Sequence, residues 1–182
     1  MPFFSNLDDN SVVPDIAAMT PELGKTMGPY HKAIMESPSE LDRGQRELIA
    51  AYVSGLNSCS YCYGVHTLTA TAFGIEETVF DALMSDPDAA PIDDKMKPIL
   101  RLARRLTLEP AKTVQADIDA ITDAGWNEQT AHDAILVCCM FNFMNRLLDG
   151  HGVKENPEMY RSRVEILADP AAYDSGHRRK ND

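Results

Sequence analysis

The chain has 182 residues, of which 44% are hydrophobic and 25% charged, as is typical of a globular protein with one apolar core. Its net charge of -11 argues against nucleic acid or an anionic membrane surface as a partner, because both would repel an acidic protein. We find no signal peptide, and the longest apolar stretch, near residues 134–148, is too short to span a bilayer. We therefore expect a cytoplasmic protein, in which a close cysteine pair is more often catalytic or metal-binding than structural.

Helical periodicity dominates the chain, and the alternating β-branched runs that are typical of strands are missing. In chain order, the predicted segments are an arm over residues 1–14, a helical region up to 36 cut by Pro21 and Pro29, helices near 42–56, 59–73, 75–83, 96–106, 113–124, 127–148 and 158–167, and a flexible tail over 170–182. Asp42 and Gln45 resemble a capping box, Asn127 is a further N-cap, and Gly74 stops the helix before it. The sequence predicts one all-α domain over residues 1–182, a helical bundle of about seven to eight helices.

Two cysteines, Cys59 and Cys62, lie in the first turn of the predicted helix 59–73. Free backbone N–H groups and the helix dipole favour a thiolate there, and the spacing allows a disulfide. His66 follows Cys62 by four residues, so it shares the same helix face and leans back toward that thiol. A histidine within hydrogen-bond reach activates a thiol, which makes Cys62 the better-served cysteine and Cys59 its resolving partner.

Glu47 lies on the preceding helix, which is apolar around most of its circumference. A carboxylate in such a place needs a partner or a proton. The break between the two helices is about two residues long, so we expect them to pack together. Glu47 would then meet His66 or the cysteines and complete a proton relay of thiol, imidazole and carboxylate.

These residues have the spacing Glu47-x11-Cys59-x2-Cys62-x3-His66, with Gly74 eight residues later. The pattern resembles the alkylhydroperoxidase D core of the carboxymuconolactone decarboxylase-like superfamily. The stretch 141–147, Phe-Asn-Phe-Met-Asn-Arg-Leu, followed by Asp-Gly at 149–150, is similar to the branch called peroxidase-related proteins. The resemblance implies an all-α fold and a homo-oligomer, typically a trimer or hexamer.

The resemblance also implies roles. Cys62 would attack a peroxide and become a sulfenic acid, and Cys59 would condense with it to a disulfide. His66 would carry the proton, Glu47 would orient His66, and an external thiol or dithiol reductant would restore the thiols. The implied activity is a thiol-dependent peroxidase that acts on hydrogen peroxide or organic hydroperoxides without a cofactor. Tyr61 occupies the position of a relay histidine in alkylhydroperoxidase D, and a phenol is a poor proton acceptor near neutral pH.

Other interpretations remain open at this level. The motif and its neighbours offer four ligands for zinc, although three of them share one helix. In that case the protein would be a redox-sensing or metal-binding oligomer without turnover. A further alternative is a decarboxylase or lactone-processing enzyme of the same superfamily. Tyr61 either lines the site or only packs, and the polar residues Asn142, Asn145 and Arg146 either fix helix packing or lie at the mouth of the site. We expect Cys138 and Cys139 to be small buried hydrophobes.

Overall fold

The computed structural model describes residues 1–157, 160, 164 and 165, and this part of the chain consists of helices and turns without a β-strand. The α-helices are α1 (Val13–Ala18), α2 (Pro21–Glu36), α3 (Arg43–Leu56), α4 (Ser60–Ala72), α5 (Thr78–Ser85), α6 (Met96–Leu108), α7 (Gln115–Asp123) and α8 (Glu128–His151), with a 3-10 turn at Pro110–Lys112. The predicted all-α class is confirmed, and the eight α-helices of the described residues match the expected number. The predicted helix 158–167 lies mostly outside the described residues, and the tail 170–182 lies wholly outside them.

Local capping signals fix where several helices begin and end. The Asp42 carboxylate accepts from the Gln45 backbone N–H at 2.8 Å, and the Gln45 side chain accepts from the Asp42 backbone N–H at 3.0 Å. Asn127 accepts from the backbone N–H of Thr130 at 2.8 Å and begins α8. Gly74 follows α4 with a φ of 95°, a left-handed conformation that favours glycine. The capping box and the two other predicted signals are therefore confirmed.

The predicted break at Pro29 is wrong. Pro21 occupies the first turn of α2, where its missing N–H costs nothing, but Pro29 lies inside the same continuous helix. Because Pro29 has no N–H, the carbonyl of Lys25 lacks its helical hydrogen bond. Both residues are exposed, so water can donate to that carbonyl instead. Ile34 and Met35 anchor the following turn in the core, which holds the helix together past the proline.

Helix α3 is the centre of the fold and is packed against α4, α6 and α8. Leu48, Ile49, Tyr52 and Val53 are fully buried on different sides of it, as the apolar circumference of the sequence predicts. No helix in the described part of the chain is long and apolar enough to cross a lipid bilayer.

A second, smaller apolar cluster surrounds the two cysteines, and we call it the cysteine cluster. Its buried members come from both ends of the described chain as well as from α4 and α8: Val12, Ile16, Cys59, Tyr61, Cys62, Val65, Leu148, Val153 and Tyr160. The segment 1–14, predicted as an arm, bends back so that the Phe3 backbone N–H donates to the carbonyl of His151 at 2.9 Å. The N-terminal residues therefore help to cover the cysteine motif.

Candidate functional site

The junction between α3 and α4 places the first cysteine at a helix start. The backbone N–H groups of Ser58 and Cys59 donate to the carbonyls of Gly55 and Ser54 at 2.9 and 3.0 Å, the pattern of a Schellman motif. Ser58 has a φ of 57°, a left-handed conformation that is uncommon outside glycine. The tight turn ends α3 and makes Cys59 the N-cap of α4, with Cys62 one turn later.

Both cysteines are free thiols in the interior, with exposures of 0% for Cys59 and 3% for Cys62. Hydrogen bonding from Cys62 lowers the pKa of Cys59 and outweighs the effect of its burial. Hydrogen bonding to Cys59, burial and the charge on Cys59 together raise the pKa of Cys62 well above its ordinary value. Of the two thiols, Cys59 is therefore the one that ionises more readily, whereas the sequence favours Cys62 as the better-served thiol.

Glu47 and His66 meet as the sequence predicts. His66 Nδ1 lies 2.6 Å from Glu47 Oε2, and this bond joins the middle of α3 to the middle of α4. Glu47 is 0% exposed and His66 is also buried. A carboxylate is an acceptor, so it holds the proton of His66 on Nδ1 and leaves Nε2 as the position that can accept or donate another proton.

The sequence missed the partner of the other carboxylate oxygen. Arg43 Nε donates to Glu47 Oε1 at 3.3 Å, and Arg43 Nη1 donates to Glu36 Oε1 at 3.1 Å. Both Arg43 and Glu36 are largely buried, so Glu47 is held between a guanidinium and an imidazole. The spacing of four residues between Arg43 and Glu47 on one helix is the signal that could have found this contact.

The structure thus forms two separate pairs. Cys62 and His66 share one face of α4, but within the described residues no hydrogen bond joins His66 to either cysteine. The ring of Phe141 packs edge-on against His66, with 4.4 Å between ring centroids. The thiol pair and the Glu47–His66 pair are therefore not joined directly by a hydrogen bond.

Tyr61 is buried in the cysteine cluster, next to both thiols in sequence and in space. Its ring packs edge-on against Tyr160, with 6.3 Å between centroids. The Tyr160 hydroxyl donates to the Ser60 carbonyl at 3.1 Å, and the Tyr160 ring fills the space where a side chain on Gly64 would lie. The two tyrosines close the cysteine cluster on the side of the first turn of α4.

Helix α8 brings polar side chains to the same place. Asn145 is 1% exposed, and its hydrogen bonding lowers the pKa of Cys62. Asp149, one turn further along, pairs with Lys154 at 2.6 Å, and its carboxylate opposes the lowering of the Cys59 pKa. Asn142 and Arg146 join the same network at its other end and are less buried. Of the three polar residues that the sequence leaves undecided, Asn145 is the one beside the Cys59–Cys62 motif, whereas Asn142 lies 3.5 Å from the sulfur of Cys138.

The other two cysteines differ from each other. Cys138 is buried, as predicted, and burial raises its pKa to about 11. The prediction for Cys139 is wrong, because this residue is exposed. Adjacent residues of a helix point about 100° apart, so a helix with one face in the core turns the second cysteine outward. Among the described residues, no three or more His, Cys, Asp and Glu side chains are grouped so that they could hold a metal ion.

Comparisons with known proteins agree with this architecture. Residues 21–105 match the Carboxymuconolactone decarboxylase family, a stretch that includes Glu47, Cys59, Cys62 and His66. The uncharacterized protein YdfG of Bacillus subtilis (strain 168) is 28% identical over 109 residues, which are 60% of this chain and 74% of that protein.

Two solved structures share the fold. An uncharacterized peroxidase-related protein from Silicibacter sp. TM1040 has a TM-score of 0.75 and 25% identity, over 81% of this chain and 78% of that one. An alkylhydroperoxidase AhpD core, an uncharacterized peroxidase-related protein from Ralstonia eutropha JMP134, has a TM-score of 0.70 and 21% identity, over 87% and 94%. Residues 21–105 are therefore similar to the Carboxymuconolactone decarboxylase family, and the chain has the alkylhydroperoxidase D-like fold that its sequence resembles.

Proposed function

We propose that this protein is a thiol-dependent peroxidase that reduces hydrogen peroxide or organic hydroperoxides through Cys59 and Cys62. One observation carries the proposal: a buried dithiol at the start of α4 lies on the same helix as an imidazole that a buried carboxylate holds in one tautomer. A nucleophile, a proton carrier and a residue that orients the carrier are the parts that thiol catalysis needs. The name "peroxidase-related" of two structural relatives supports the same reaction class.

The first half of the reaction oxidises one thiol. The Cys62 thiolate attacks one peroxide oxygen, an S–O bond forms as the O–O bond breaks, and the leaving alkoxide or hydroxide takes up a proton. Cys62 becomes a sulfenic acid, and the peroxide becomes an alcohol or water. Because Cys59 is the thiol that ionises more readily, we propose that the Cys62 proton first moves to the Cys59 sulfur, to which Cys62 is hydrogen-bonded.

The second half forms the disulfide and restores the thiols. The Cys59 sulfur attacks the Cys62 sulfenic sulfur, an S–S bond forms, and hydroxide leaves and is protonated to water. In this proposal His66 Nε2 gives and takes these protons through the oxygen atoms of peroxide or water, while Glu47 holds the ring through Nδ1. An external thiol or dithiol then reduces the disulfide by exchange, which supplies the two electrons of the cycle.

The proposed cycle also has a consequence for the location of the protein in the cell. Turnover requires a compartment that keeps thiols reduced, and the proposed location is therefore the cytoplasm.

Exposed apolar side chains, among them Phe143 on α8 and Leu68 on α4, offer surface for contacts between subunits. We propose that the protein forms a homo-oligomer, either a trimer or a hexamer. Analytical ultracentrifugation can measure the mass of this oligomer.

Steady-state consumption of peroxide in the presence of dithiothreitol tests the proposed function. The wild type should turn over hydrogen peroxide or cumene hydroperoxide repeatedly, and Cys62→Ser and Cys59→Ser should not. Cys139→Ser is the matched control, because this exposed thiol lies outside the site, and it should keep full activity. A single round of oxidation without turnover would favour a redox sensor, and bound zinc in protein purified without chelator would favour a metal site.

A further inference from the structure

Asn145 lies in the interior between the end of α3 and the cysteine motif, although an apolar residue would be cheaper to bury there. We propose that Asn145 is a further catalytic residue, whose side-chain amide donates a hydrogen bond to the Cys62 sulfur and stabilises its negative charge. This inference rests on the proposed function, in which Cys62 is the nucleophile. It follows from three features: the orientation of the amide, the way a hydrogen-bond network fixes that orientation, and the position of the amide on α8.

The α3 end of the network fixes the amide nitrogen. The Ser54 hydroxyl donates its only hydrogen to the Ala50 carbonyl at 2.7 Å, so its oxygen can only accept from Asn145. The atom of Asn145 that lies 3.0 Å from this oxygen must therefore be Nδ2. This bond uses one of the two N–H groups of the amide.

The other end of the network fixes the amide oxygen. Asn57 Nδ2 donates to Asn145 Oδ1 at 2.9 Å and to Asn142 Oδ1 at 3.1 Å. The orientation of Asn142 is itself fixed, because Arg146 Nη1, which can only donate, lies 2.9 Å from Asn142 Oδ1. Both ends of the chain of amides thus impose the same direction, and Asn145 cannot flip without breaking several buried hydrogen bonds.

The second N–H of Asn145 is the one that we assign to Cys62. Leu148, three residues later on the same face of α8, packs in the cysteine cluster with Cys62, which places this face of α8 against the thiol. Hydrogen bonding from Asn145 lowers the pKa of Cys62 and opposes the effects of burial and of Cys59. A donor with fixed geometry costs no reorganisation when charge appears on the sulfur, which is how preorganised groups assist catalysis.

The test measures the pKa of Cys62 directly, in a Cys59→Ser background that leaves one thiol in the motif. The rate of alkylation by iodoacetamide is followed against pH, and Cys62 is identified by peptide mass. We expect Asn145→Ala to raise the pKa of Cys62 by about one unit and to slow alkylation at neutral pH about tenfold. Asn145→Asp, which keeps the shape but replaces the donor by an acceptor, should raise the pKa further.

Asn142→Ala is the matched control, since it removes an amide from the same network without a contact to Cys62. It should lower stability and leave the pKa of Cys62 unchanged. The proposal is overturned if the pKa of Cys62 is the same in the Asn145 variants as in Asn142→Ala. Alkylation does not require a reaction with peroxide, so a pKa shift in a protein that fails to reduce peroxides would overturn the proposed function and not the hydrogen bond.

Discussion

Glu47 Oε2 and His66 Nδ1 lie 2.6 Å apart in the interior, where they join two helices that a three-residue turn connects. The carboxylate also pairs with Arg43, so both of its oxygens have charged or polar partners. The proposed mechanism therefore gives Glu47 two roles, because the group that orients the imidazole also pairs with the largely buried guanidinium of Arg43.

Replacement of Glu47 by glutamine should therefore affect both stability and activity. Glu47→Gln keeps the shape but leaves Arg43 with less compensation, so we expect the free energy of unfolding to fall by about 3 kcal/mol. Oxidation of the thiols by peroxide should slow about 10- to 100-fold, because His66 loses the group that fixes its tautomer. Chemical denaturation and stopped-flow oxidation measure the two effects.

Glu36→Gln is the control for this variant. It removes the other carboxylate that Arg43 contacts, at a site that is closer to solvent and does not touch His66. We expect a loss of about 1 kcal/mol or less and an unchanged rate of oxidation. Equal effects of the two substitutions would contradict a special role for the buried carboxylate.

The packing of Tyr160 on α4 predicts that Gly64→Ala opens the site. A Cβ on Gly64 would lie 2.5 to 2.6 Å from three atoms of the Tyr160 side chain, so the ring has to move away from the cysteine cluster. Thiol-disulfide reagents should then label the buried cysteines faster than in the wild type. Gly150→Ala, where a Cβ has open space, should not change the rate, and equal labelling of all three proteins would show that Tyr160 does not shield the thiols.

The buried thiol of Cys138 should make the protein less stable in alkaline solution. Its pKa is raised from 9.0 to about 11, so the folded state holds the proton that the unfolded state loses. The contribution is complete below pH 9 and is lost as the pH rises toward 11, by up to about 3 kcal/mol. Cys138→Ser removes this titration, and its denaturation curves should show a smaller alkaline loss; parallel losses in the two proteins would contradict the prediction.

The left-handed Ser58 should tolerate glycine better than any branched residue. Ser58→Gly removes the steric cost of a φ of 57° but loosens the unfolded chain, so we expect a gain of about 0.5 kcal/mol or less. Ser58→Val should lose more than about 1 kcal/mol, because a β-branched side chain fits this conformation poorly. Thermal denaturation measures both changes. Similar melting temperatures for the two variants would contradict the prediction that the backbone of Ser58 is strained.

Much of the fold could be predicted because its signals are local. The capping box of Asp42 with Gln45 and the N-cap at Asn127 depend only on residues three positions apart. The prediction of a break at Pro29 is wrong because water can satisfy the exposed carbonyl of Lys25, and buried Ile34 and Met35 anchor the turn that follows. The prediction that Cys139 is buried is wrong because an apolar run does not reveal which of its positions face outward.

In the candidate site, too, the sequence predicts the contacts that depend on local signals and misses those that do not. The encounter of Glu47 with His66 follows from a short turn between two helices, and the sequence predicts it correctly. The proposed hydrogen bond from Asn145 to Cys62 joins residues far apart in the chain, so no local pattern reveals it. Which of the two thiols has the lower pKa depends on burial and on the hydrogen bond between the two sulfurs, and a sequence reveals neither.

The most direct test of the account is stopped-flow oxidation of the reduced protein by one equivalent of hydrogen peroxide or cumene hydroperoxide, with the product identified by mass. The account predicts rapid formation of a Cys59–Cys62 disulfide, a stable sulfenic acid on Cys62 in Cys59→Ser, no fast phase in Cys62→Ser, and a slower phase in His66→Ala. A wild-type rate no faster than that of a free thiol with both oxidants would contradict the account, and a sulfenic acid on Cys59 in Cys62→Ser would reverse the roles of the two cysteines.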